Sequence, residues 1–135
     1  MKFKLACNIM IAILLIVILF HFLVLSQIIN YKNVWGGKLS NENEMYVFET
    51  ISICLNAFLL FVVLQKAAYI KQLFSAKIIE TVLWIFIIIF GLNTVGNLFA
   101  NNMIEKTVGT ILTLVSAYLC FMIVGIKNER TTQIV

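Results

Sequence analysis

Glu49 is the residue of this chain best placed to do chemistry. It travels with an apolar stretch, and an ionisable side chain at or just inside a membrane boundary is costly enough to need a partner or a job. Glu49, Ser52 and Asn56 fall at i, i+3 and i+7, one face of a helix, while Val47, Phe48, Ile51, Leu55 and Phe58 flank them with apolar groups. Hydrocarbon would reject that polar face, so it is expected to turn inward. Elsewhere the chain offers His21, Asn93 and Asn97 four apart, and Thr110 with Thr113. A Glu49–His21 pair could couple to a proton, each group altering the other's charge preference. No nucleophile–base set is legible, and with one histidine in the chain the usual metal signatures and any bound cofactor are not expected.

The elements that must carry these groups are membrane spans. Of 135 residues, 62% are hydrophobic and 12% charged, the mean hydropathy is +1.04, and neither proline nor aspartate occurs. A water-soluble domain would carry roughly twice that charged fraction. Four apolar runs, about 5–27, 46–65, 79–100 and 107–126, account for the excess. Each is long enough to cross ~30 Å of hydrocarbon as a helix. Short connections between them predict an all-α, membrane-embedded antiparallel four-helix bundle forming a single domain over residues 1–135.

Charge then orients the bundle. Lys2 and Lys4 precede the first span, Lys66, Lys71 and Lys77 separate the second from the third, and Lys127 and Arg130 follow the fourth. The other two loops are balanced, Lys32 and Lys38 against Glu42 and Glu44, then Lys106 beside Glu105. The positive-inside rule therefore puts both termini and loop 66–78 in the cytoplasm. This use of the basic residues leaves no argument for nucleic acid as a partner. The lipid bilayer is the expected one, with a second copy of the chain and a small molecule as further candidates. The 5–27 run exceeds the 7–15 residues of a signal peptide and lacks an A-x-A site, so it is expected to stay as a span. Leu5-Ala6-Cys7 lies before the apolar run, the wrong side for a lipoprotein box. Cys7, Cys54 and Cys120 form no C-x-x-C, and Cys54 and Cys120 read as small packing residues.

Local signals add detail. Trp35 and Tyr31 suit the headgroup layer, and Gly36-Gly37 marks a sharp turn, either as an anchored loop or as a lid over an outward pocket. Asn41 with Glu44 three residues on reads as an N-cap, which starts the second helix near Asn41 and puts Glu49 ~12 Å along its axis. Segment 66–78 reads as a continuing helix or an amphipathic piece lying on the inner leaflet. Lys77 and Glu80 are spaced to pair. Gly96 and Ala100, and the stripe Gly109, Thr113, Ser116 and Cys120, are expected to let helices approach closely. The tail from Lys127 reads as short, polar and frayed.

Three runs, Val34-Trp35-Gly36-Gly37-Lys38-Leu39, Glu44-Met45-Tyr46-Val47-Phe48-Glu49 and Asn93-Thr94-Val95-Gly96-Asn97-Leu98, together resemble a family of small four-helix bacterial integral membrane proteins with no assigned activity. That resemblance spans nearly the whole chain and implies the architecture and a bacterial inner-membrane location. In size and span number the chain also resembles the small multidrug resistance exporters, which work as dimers around a membrane-embedded glutamate. Their carboxylate lies in the first helix, whereas residues 5–27 here hold no acid, so no site residue is carried over.

Folding the topology back on itself brings His21, Trp35, Glu49, Ser52, Asn56, Asn93 and Asn97, with Thr110 and Thr113, toward the outer half of the bundle. Three readings stay open for this cluster. It sets helix packing in a non-enzymatic membrane component, with or without a small-ligand site. It serves a homodimeric transporter in which Glu49 is the ion-coupling acid. Or it works in a membrane-embedded enzyme through Glu49 and His21.

Overall fold

In a computed structural model, which describes residues 1–125, each apolar run is a helix. Helix α1 spans Phe3–Leu25, α2 Glu42–Lys66, α3 Ala76–Leu98, and α4 Thr110–Gly125, the last entered through a π-helical turn at Glu105–Gly109. All four are long and apolar enough to cross a membrane, α4 when counted from Glu105. The protein is a small multi-pass membrane protein with an all-α, four-helix bundle architecture, and no strand occurs among the described residues. Lys127, Arg130 and the tail to Val135 lie outside the described residues.

Helices α2 and α3 begin where the sequence supplies caps, Asn41 and Ser75. Asn41 Oδ1 accepts the Glu44 N–H at 2.9 Å, and Glu44 reaches back to the Ser40 N–H at 2.8 Å. Helix α2 therefore starts at Glu42, before its apolar run. It stops at Lys66 without a glycine: Ala68 takes the left-handed conformation (φ 59°), and the Tyr69 N–H returns to the Leu64 carbonyl at 3.0 Å. Of the two readings of 66–78, this overturns the continuing helix. The segment is an irregular loop, gripped by Gln65 Oε1, which accepts the N–H groups of Leu73 and Phe74 at 2.7 and 2.9 Å. A second correction concerns Glu80. It lies 3.5 Å from Lys66 of α2, so it ties two helices together and does not pair with Lys77.

Helix α1 packs chiefly on α2 and α4, and α3 on α4, with the α2–α3 contact lighter. The core is divided unevenly along the bundle. Most of it lies toward the end that carries the N-terminus and loop 67–75: Met10 and Leu14 of α1, Leu59 and Val63 of α2, Leu83 and Phe86 of α3, Leu119 and Ile123 of α4. A small second cluster, Val24, Val34 and Met45, closes the opposite end under the 26–41 connection. The polar side chains sit between the two. Cys120 is buried as expected, whereas Cys54 lies on the exposed face of α2, outside the core.

Candidate functional site

Helix α2 turns Glu49 inward because its neighbours cannot go there. Val47, Phe48, Ile51, Leu55 and Phe58 are all exposed, leaving the Glu49–Ser52 side to face α1. Glu49 is 0% exposed. Burying a carboxylate is unfavourable by several kcal/mol unless charge-assisted hydrogen bonds offset the loss of water. Both oxygens have such a partner. His21 Nδ1, on the last third of α1, lies 2.6 Å from Oε2, and the Trp35 indole N–H donates to Oε1 at 2.7 Å. In the tautomer that carries its proton on Nδ1, His21 is a donor as well. Its ring keeps 14% exposure and meets Phe20 edge-on at 5.6 Å. Among the described residues nothing hydrogen-bonds His21 Nε2.

Trp35 reaches Glu49 because the connection between α1 and α2 is a strap, two short 3-10 turns lying back across the bundle end. Trp35, Gly36 and Gly37 are consecutive left-handed residues (φ 56°, 66° and 70°). Glycine accepts this conformation freely, but a bulky residue does so only when its surroundings over-determine it. Here the indole is fixed on both sides, by Glu49 through its nitrogen and by Phe48 through ring packing at 5.1 Å. Trp35 therefore points its nitrogen inward and acts as a clasp, where a headgroup anchor or a lid was expected.

The strap is also held from the other half of the bundle. The Gly36 N–H is shared by both oxygens of Glu105, at 2.9 and 3.0 Å. Asn101 donates to the Gly36 carbonyl at 3.1 Å, and Asn102 to the Asn33 carbonyl at 3.2 Å. Sequence reasoning passed over these three residues. Glu105 beside Lys106 looked like a neutral loop, and contacts reaching back 65 to 69 residues leave no local pattern to read. The one signal present was two adjacent asparagines at a helix boundary.

The remaining polar residues divide. Ser52 is buried on the Glu49 face, and half-buried Asn56 donates to the Ser52 carbonyl at 2.8 Å, a bond within α2. Thr94 and Thr113 bring their hydroxyls to 2.8 Å, and Asn97 reaches Thr113 at 3.5 Å, stitching α3 to α4. Thr110 Oγ1 is buried without a hydrogen-bond partner, beside the π-helical turn that displaces the carbonyls it would otherwise use. Asn93 joins neither group: it is on the exposed face of α3, one residue from the lipid-facing Leu92. The anticipated single meeting point is thus two, a His21–Glu49–Trp35 clasp between α1, α2 and the strap, and a Thr94–Asn97–Thr113 seam between α3 and α4. No hydrogen bond links them among the described residues.

Among those residues no three His, Cys, Asp or Glu side chains gather as a metal site would need. The chain matches no protein-family model, no curated protein and no solved structure.

Proposed function

We propose that this protein is a non-enzymatic component of the bacterial inner membrane, with both termini cytoplasmic, in which Glu49 is a structural acid that locks the strap onto the bundle. The observation that carries this reading is the enclosure of the carboxylate: Glu49 is fully buried, Trp35 donates to one oxygen and His21 Nδ1 lies at hydrogen-bond distance from the other. An acid sealed from solvent and held at both oxygens keeps a surface in place and is closed to a substrate. The basic residues flanking α1 and the 67–75 loop support the orientation, which places the strap outside the cell.

A second reading, a small homodimeric transporter coupled to ion movement through Glu49, is favoured by one feature. His21 Nε2 is unengaged while Nδ1 sits 2.6 Å from the acid, a geometry able to pass a proton inward to the carboxylate.

Glu49→Gln decides between them. The amide can accept from Trp35 and, with the histidine tautomer reversed, donate to His21, so the clasp predicts a folded protein of slightly lower stability. Proton flux driven by a pH gradient, measured in proteoliposomes with a fluorescent dye, should be absent for wild type and variant alike. A flux present in wild type and lost in a normally folded Glu49→Gln protein would overturn the structural reading.

A further inference from the structure

A recess of about 260 Å³ opens between the end of α1, the first turn of the strap and the start of α2, lined by Gln27, Asn30, Tyr31, Lys32 and Glu42. Its wall is shaped by local chemistry. Gln27 ends α1 in the left-handed conformation (φ 60°) and donates through Nε2 to the Tyr46 hydroxyl at 3.0 Å. Asn30 Oδ1 accepts the Lys32 N–H at 2.9 Å, fixing the 3-10 turn that carries both residues.

Lys32 and Glu42 bring opposite charges to this one recess, yet no ion pair joins them to each other or to any other described residue. The Asn30 amide nitrogen and the Tyr31 hydroxyl also have no hydrogen-bond partner among the described residues. A ligand of a single sign would gain from one of the two charges and be repelled by the other. One small molecule bearing both signs satisfies both at once. The volume lies just under the ~300 Å³ at which drug-sized sites begin, which suits a guest of about a dozen heavy atoms or fewer.

We infer that this recess binds a small zwitterion, an ammonium group and a phosphate or carboxylate a few atoms apart, with the ammonium at Glu42 and the anion at Lys32. The same chemistry is presented by the ethanolamine phosphate headgroup of a phospholipid at the membrane boundary and by a free solute. The inference stands apart from the role of Glu49, since neither His21 nor Glu49 lines the recess.

The test uses the full chain purified in detergent, with O-phosphoethanolamine as the free probe, and the same chain in nanodiscs of phosphatidylethanolamine or phosphatidylglycerol. Wild type should unfold at higher temperature with the free probe, with the phosphatidylethanolamine discs, or with both. The first pattern assigns a solute, the second a lipid headgroup. Lys32→Gln and Glu42→Gln, both at exposed positions, should each weaken the response about tenfold, with stability without ligand unchanged for Lys32→Gln and lowered by no more than the lost helix-dipole contact for Glu42→Gln. The exchanged pair Lys32→Glu with Glu42→Lys should recover it, because a zwitterion can bind reversed. No response to either source would overturn the inference. So would single variants that respond as wild type does, or an equal response to ethanolamine or inorganic phosphate alone.

Discussion

The Trp35 indole nitrogen lies 2.7 Å from Glu49 Oε1, and that bond joins a left-handed tryptophan in a surface strap to a fully buried carboxylate in a membrane span. Each half accounts for the other. The carboxylate needs a second donor that no helix supplies, and the tryptophan needs a reason to hold an unfavourable backbone. Removing the indole N–H should expose both deficits. Trp35→Phe keeps a ring for Phe48 to pack on but leaves Oε1 buried and unsatisfied, a loss of about 1–3 kcal/mol. Thermal or denaturant unfolding in detergent measures it, and a variant as stable as wild type would show that the bond holds nothing.

Glu105 should matter for the strap more than for the bundle. Its carboxylate shares one backbone N–H, that of Gly36, and hydrogen bonds to charged groups are worth about 1.5–3 kcal/mol. Glu105→Ala removes the charged partner from one side of the strap, leaving only the Asn101 and Asn102 amides there, while Trp35 still holds the other. Limited proteolysis should then cut faster within 31–40, with the helices still protected. Cleavage moving into α3 or α4 instead would mean that Glu105 supports the helices themselves.

What could be read beforehand follows from how far each signal travels along the chain. Span positions, the Asn41–Glu44 cap and the inward turn of Glu49 depend on residues within a few turns of one another, and all three stand. His21 and Glu49 could be paired because antiparallel helices place them at matching depth. Helix rotation was harder. Asn93 and Asn97 share a face by spacing, yet the seam with α4 takes Asn97 and Thr94 and leaves Asn93 outside, because Thr113 lies opposite that side of α3. The strap was least legible of all. Its shape depends on Glu105, Asn101 and Asn102, whose bonds arise only once α3 and α4 are assembled.

Ala68 should be a site of easy stabilisation. It ends α2 at φ 59°, where a Cβ is disfavoured by roughly 1–2 kcal/mol. Glycine removes that strain but adds freedom to the unfolded chain, so Ala68→Gly should gain about 0.5–1 kcal/mol. A raised unfolding temperature with unchanged helix content checks this. A fall would mean that the alanine methyl packs usefully where the loop leaves α2.

The glycines of α3 and α4 should separate into two kinds when each is replaced by alanine. A Cβ on Gly109 would sit 3.0 Å from Asn97 Nδ2 and 3.1 Å from its Cγ. Asn97 would have to give by a few tenths of an ångström, enough to break its long 3.5 Å contact with Thr113, so Gly109→Ala should destabilise by about 1 kcal/mol. A Cβ on Gly96 meets nothing within 4 Å, which contradicts the close helix approach that its spacing with Ala100 implies. Gly96→Ala should be neutral, or gain up to about 1 kcal/mol from helix propensity. Paired unfolding measurements on the two variants in detergent test the contrast, with Asn97→Ala as a third. If Asn97 is the whole reason Gly109 must stay small, then Gly109→Ala should cost much less in the Asn97→Ala background, since the two substitutions share one contact. Equal losses in both backgrounds would mean that Gly109 is needed for some feature of the π-helical turn itself.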